Sequence, residues 1–229
     1  MNPPHNAKSM HIEPLGDQAL LITCADERQA QLLAEHARLS KRPWLVDVVS
    51  AYTTVALYFD LMQCDYAQAA SEVRQWTLPT GDGPIGQRLV IPCCYELGLD
   101  WDVVTEHVRL PKTEIIRLHS ATLFTVYAIG FSPGFPYLGY LPTPLQGVPR
   151  LPQPRKRVEP GSVGITGVQS AIYPLPTPGG WHLIGQTPCV MVDVAKDYFP
   201  LRVGDQVQFQ PIDQETFAAM HGKRVTEVR

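Results

Sequence analysis

Between Ile115 and Val192 the chain carries Arg117, Arg150, Arg155, Lys156 and Arg157 against one acidic residue, Glu159, a window of +4 in a chain of formal charge -3. Guanidinium forks match carboxylate and phosphate oxygens and focus a local field, so an anionic ligand would be held in this window. The contiguous run Arg155-Lys156-Arg157 suits a solvated surface equally well, and both readings stay open. His119 and His182 are the histidines nearest the glycine-rich material of the same window. His119 closes a helical segment, from which its ring could reach the mouth of the following region; the other role for such a histidine is a structural hydrogen bond. Gln169 and Tyr173 lie between glycine-rich turns, which either bring backbone N–H groups close to a ligand or simply turn the chain.

Two familiar strings fail on physical grounds. Gly130-Phe131-Ser132-Pro133-Gly134 spells a nucleophile elbow, whose oxyanion hole uses the backbone N–H of the residue after serine. Here that residue is Pro133, which has no N–H and disfavours the required turn at Ser132. Gly81, Gly83 and Gly86 match a dinucleotide string, but they follow a helical pattern and precede a strand, the reverse of what pyrophosphate binding needs. The chain contains neither a phosphate loop nor a zinc-protease helix motif. Its five cysteines show no zinc-site spacing, which predicts reduced structural thiols and no metal site.

The elements that must position these residues fall into two regions. Ala19–Thr23 reads as a buried strand, and Asp26 as the N-cap of a helix carrying Ala30, Leu33 and Ala37 at helical spacing. Trp44–Val49 and Thr53–Phe59 read as strands, and a helix runs from Tyr66 to Trp76. That order predicts a small α/β layer. The turn-rich stretch from Leu78 to Gly86 marks a boundary, giving domains of residues 1–86 and 87–229. Beyond it come a strand at Arg88–Ile91 and two short helices, capped at Asp100 and Thr113. Between Pro133 and Pro211 lie 14 of the 22 prolines. Short apolar runs at Phe124–Ile129, Val163–Ile165, His182–Ile184, Val190–Val194 and Val207–Phe209 stand between turn signals, the pattern of a β-barrel or sandwich. The fold class expected is therefore α+β.

With 229 residues, 45% hydrophobic and 18% charged, the chain can build its own cores. Its slightly acidic balance argues against a nucleic-acid partner, since phosphate backbones require a basic face. Apolar runs are too short for a membrane span, and no leader pattern opens the chain. A cytoplasmic protein is expected.

The run from His119 to GFSPGFPYLG at Gly139 resembles the allophanate hydrolase subunit 1 family, which includes the 5-oxoprolinase B subunits and the Kip-type sensor-kinase inhibitor. Pro154-Arg155 through Gly161-Ser162-Val163-Gly164-Ile165 to Gln169 and Tyr173-Pro174 agrees with it, as does Thr177-Pro178-Gly179-Gly180-Trp181 to Gly185-Gln186-Thr187. Pro14-Leu15-Gly16-Asp17, Ile91-Pro92-Cys93-Cys94-Tyr95 and Gly204-Asp205 extend the likeness over nearly the whole chain. The resemblance implies a cyclophilin-like barrel after the small first domain. It also implies a part in the ATP-dependent opening of 5-oxoproline to L-glutamate, beside the A and C subunits of 5-oxoprolinase, of which C is of the allophanate hydrolase subunit 2 type. On that basis His119 and Arg155 are expected to be catalytic, with Gln169, Tyr173, Gly134, Gly179 and Gly180 against substrate or ATP, the latter with Mg2+. A kinase inhibitor, or an enzyme acting on another amide or urea-like compound, is the alternative. Ser170-Ala171 replace the threonine and glycine common in that family.

Overall fold

In the computed structural model, which describes residues 10–78 and 86–227, the chain divides into two compact units that meet in sequence at Gly86. The turn-rich boundary expected at 78–86 and most of its dinucleotide-like string lie outside the described residues.

The first unit contains β1 (His11–Pro14), β2 (Ala19–Thr23), α1 (Glu27–Ser40), β3 (Leu45–Ala51), β4 (Thr54–Phe59) and α2 (Tyr66–Val73). The strands form an antiparallel sheet in the order β1-β2-β4-β3. Leu20, Ile22, Leu33, Val55 and Leu57 are fully buried where the helices meet it. Asp26 caps α1 by accepting from the Gln29 N–H at 2.7 Å, as expected of it. The second helix stops at Val73, short of Trp76. Sequence patterning missed β1 because it presents a single buried side chain, Ile12, between exposed His11 and Glu13.

The second unit contains β5 (Arg88–Cys93), α3 (Trp101–Val108), α4 (Lys112–Ala121), β6 (Leu123–Ile129), β7 (Pro136–Gly139), β8 (Arg155–Val158), β9 (Ser162–Thr166), β10 (Gln169–Ile172), β11 (Thr177–Gly179), β12 (His182–Gln186), β13 (Gln206–Pro211) and α5 (Gln214–Met220). Seven strands form one sheet in the order β12-β9-β10-β7-β6-β13-β5, and only β13 and β5 run parallel. The Cys94 N–H donates to Gln186 at 2.8 Å, and the Gln186 N–H returns to Cys94 at 3.0 Å. That bridge joins the two edge strands and nearly closes a barrel, which removes exposed edges. Strands β8 and β11 form a separate ribbon. The core is aliphatic and aromatic, with Ile91, Phe124, Val126, Leu138, Ile165, Ile184, Val207 and Phe209.

Two expectations are corrected. Val190–Val194 is not a strand: it makes isolated bridges at Val190 and Asp193, and its last residue begins a short 3-10 turn. The helix caps also differ, because α4 starts after Pro111 and Asp100 makes no side-chain cap to α3. The Asp100 carboxylate is engaged elsewhere, as described below. No helix among the described residues is long and apolar enough to cross a membrane.

Candidate functional site: an aromatic cleft with one free guanidinium

Beside the main core, Phe135, Val158, Ala171, Tyr173, Trp181 and Leu183 form a second, smaller apolar cluster. Its outer side opens as a cleft of about 280 Å³ lined by Phe131, Phe135, Tyr137, Tyr173 and Trp181, with Arg150, Pro154, Pro178, Gly179 and Gly180 completing the wall. The rings meet edge to face: Phe135 lies 5.0 Å from Tyr137, 5.1 Å from Tyr173 and 5.8 Å from Trp181, with interplanar angles of 65°, 80° and 89°. Phe131 sits at the tip of the β6–β7 connection with φ of 70° and is 63% exposed, its ring 5.3 Å from Phe135. A left-handed backbone at a bulky aromatic residue is a true outlier, and such strain persists where the surroundings hold it.

Glycine shapes this wall at one position. A Cβ on Gly179 would lie 2.5 Å from the Tyr173 hydroxyl oxygen and 2.7 Å from its ring, so only glycine lets that ring lie against β11. The equivalent atom on Gly180 would meet Pro154 at an ordinary 3.6 Å. Burial raises the pKa of the Tyr173 phenol, opposed by its hydrogen bond to the Trp181 backbone and by the charges of Arg150 and Arg155.

The structure sorts the cations of the basic window. Arg117 pairs with Glu114 at 2.6 Å and Arg157 with Glu159 at 2.7 Å, both at the surface. Arg155 donates to Asp100 Oδ1 at 2.5 Å and to the Trp181 carbonyl at 3.3 Å. Asp100 is 8% exposed, and its other oxygen accepts from the Leu183 N–H at 2.6 Å. Arg155 is thus a clamp behind the cleft, tying β8 to the Trp181 turn, and its fork is occupied. Arg150 lies on the cleft itself, is exposed, and among the described residues makes no ion pair or hydrogen bond through its guanidinium. Sequence counting identified the window and not this member, because the carboxylate that engages Arg155 lies 55 residues away.

Of the expected site residues, Tyr173, Gly179 and Gly180 line the cleft together, with Arg155 behind them. Gln169 stands at the far end of β10 from Tyr173, opposite Gly139 and Thr166, and does not line it. Gly134, at φ of 71°, serves the turn: a Cβ there would meet Val192. His119 does not reach a mouth. It is 0% exposed, packed 4.7 Å from Phe209 and 5.1 Å from Phe124. Its Nδ1 lies 2.7 Å from the Tyr95 hydroxyl and its Nε2 2.9 Å from Ser170 Oγ, which lies 3.3 Å from the Gly164 carbonyl. With Ser170 donating to the Gly164 carbonyl, His119 donates from Nε2 and accepts from Tyr95 at Nδ1; with Ser170 donating to Nε2, His119 donates from Nδ1 to the Tyr95 hydroxyl, and in either tautomer both ring nitrogens are engaged. Burial pushes the imidazole pKa down to about 3, so it is a neutral core group. The other histidine of the window, His182, is also buried, and burial lowers its pKa.

Ser132 confirms the rejection of a nucleophile elbow, since it lies between two strands and its Oγ is enclosed without a partner. All five cysteines are buried and free, with burial pushing Cys24 up to about 12. The cleft also bears on the expected nucleotide. A magnesium nucleotide needs several cations or backbone donors around its phosphates and carboxylates around the metal. The cleft offers one guanidinium and no carboxylate, and the described residues hold no cluster of three acidic, histidine or cysteine side chains suited to a metal. These residues do not fit that group.

Comparison with known proteins gives a consistent result. Residues 10–201 match the family model described as carboxyltransferase domain, subdomain C and D. The 5-oxoprolinase B subunit of Escherichia coli O157:H7 is 36% identical over 194 residues, covering 83% of this chain and 88% of that protein. Its counterpart in Bacillus subtilis is 31% identical over 235 residues, covering 91% and 95%. Among solved structures, TTHA0988 superposes with a TM-score of 0.77 at 33% identity over 86% of this chain, which spans only 41% of that longer protein. With a family model matched over most of its length and relatives above 30% identity aligned nearly end to end, the chain belongs to the carboxyltransferase-domain family of subdomains C and D that includes the 5-oxoprolinase B subunits.

Proposed function

We propose that this chain is the B subunit of a 5-oxoprolinase, a multi-subunit hydrolase that opens the lactam of 5-oxoproline to L-glutamate with consumption of ATP. The observation that carries this reading is the alignment with B subunits over 88% to 95% of their own lengths. The chain works with the A and C subunits of that enzyme in the cytoplasm. The name of the B-subunit relatives supports partner subunits, and TTHA0988, of which this chain covers 41%, joins a region of this kind to further polypeptide.

The chain's own contribution is the aromatic cleft, whose walls are largely apolar and whose lining cation is Arg150. The donor set of the cleft does not suit a nucleotide, which supports an ATP site outside this cleft, shared with the partner subunits. The test is 5-oxoproline-dependent ATP hydrolysis and glutamate release by the purified chain, first alone and then mixed with the A and C subunits. Activity in the mixture only is the expected result. A mixture whose other components are competent, yet which releases no glutamate, overturns the assignment.

A further inference from the structure

We infer that the cleft is a carboxylate pocket: Arg150 takes the carboxylate of a small, compact cyclic acid whose ring lies against Phe131, Tyr137 and Trp181, and the nucleotide is excluded from it. Only the identity of the natural acid, a five-membered lactam, rests on the 5-oxoprolinase reading.

Four observations converge on this ligand class. The cleft holds about 280 Å³, at the small end for ligand pockets, which suits a single ring. Its lining is aromatic on several sides, so the body of the ligand is apolar or flat. Arg150 is the lining cation, and no acidic side chain among the described lining residues neutralises it. One unopposed guanidinium matches one carboxylate in a bidentate pair, whereas three phosphates would leave most of their charge unmet by the lining. Finally, Phe131 keeps a left-handed backbone at the rim, its ring largely exposed and held in the chain by an edge contact with Phe135, which leaves most of its face open to a ligand. The Tyr173 hydroxyl oxygen accepts from the Trp181 backbone, so its O–H stands beside Arg150, the lining cation, as a second donor.

Tryptophan fluorescence of the full chain, with Trp181→Phe to identify the reporting residue, tests this directly. The probes are L-5-oxoproline and cyclopentanecarboxylate as acids, 2-pyrrolidinone as the ring without the carboxylate, and magnesium ATP as competitor. Saturable binding is expected for at least one acid, with 2-pyrrolidinone weaker by about tenfold or more and no competition from ATP. Arg150→Gln, at an exposed side chain without partners, is expected to reduce acid binding by the same factor while leaving the unfolding midpoint unchanged. In the reconstituted complex that variant should raise the KM for 5-oxoproline about tenfold or more, with the KM for ATP unaltered. Binding that ignores the carboxylate, an Arg150→Gln variant with wild-type binding or KM, or displacement by ATP each overturns the inference. A complex without 5-oxoprolinase activity, in a chain that still discriminates acids through Arg150, would remove the 5-oxoprolinase reading and leave the pocket standing.

Discussion

Phe131 and His119 show how the same window of sequence yields opposite kinds of residue. Phe131 is exposed and strained at φ of 70°, so replacing it by Asn, which tolerates left-handed backbone, removes strain and little packing. Phe131→Asn is expected to leave stability unchanged or raised by up to about 1 kcal/mol, while acid binding weakens severalfold. Urea unfolding and ligand titration on the same sample check this; a destabilised variant with intact binding would make Phe131 a packing residue. His119 is the reverse, a buried neutral group whose folded pKa of about 3 lies below the ordinary 6.5. Between those values the unfolded chain binds a proton that the folded chain refuses. This contribution is therefore whole above about pH 6.5 and is lost as pH falls, at up to about 1.4 kcal/mol per pH unit. His119→Gln should be less stable at pH 7, yet its further loss between pH 7 and pH 5 should be smaller than that of the wild type by about 2 kcal/mol. Equal losses would mean that the imidazole titrates normally. Sequence offered both roles for His119, and what decides between them is Tyr95 and Ser170, 24 and 51 residues away.

At the scale of elements, what was legible followed from local period and caps. Strands β2, β4, β6, β9, β12 and β13 appear where alternating or continuous apolar runs predicted them, and α1 begins at its Asp26 cap. The strands missed, β1, β7, β8, β10 and β11, span four residues or fewer, too short to show an apolar period. Asp100 shows how tertiary pairing overrides a local signal. It sits where a cap would, but its two oxygens bind Arg155 and the Leu183 N–H, joining the start of α3 to β8 and β12. Removing one partner of such a shielded pair leaves the other charge unmet. Asp100→Asn and Arg155→Gln are each expected to cost about 2–4 kcal/mol in denaturant unfolding, with the double variant less destabilised than the sum by at least about 1 kcal/mol. Additive losses would show that the pair acts independently.

For the whole molecule, the apolar clusters carry an argument about autonomy. One cluster runs from Met10 to Leu78, and the barrel cluster and the aromatic cluster are built entirely from residues beyond Gly86, with no shared member. The legibility of this division came from the change in composition, since proline and glycine crowd the barrel loops and leave the first unit's sheet and helices almost untouched. Each unit holds its own buried centre, the first around Leu20, Leu33 and Leu57, the second around Phe124, Leu138 and Phe209. We therefore propose that residues 87–229 form a domain able to fold alone, at a size where a single core suffices. Expressed as a fragment, it should unfold in one cooperative transition by calorimetry and near-ultraviolet circular dichroism. It should also keep the carboxylate-dependent quenching of Trp181, because Arg150, Phe131 and the ring walls all lie within it. A fragment that binds the hydrophobic dye ANS and shows no cooperative transition would mean that the first unit is required for the barrel to close.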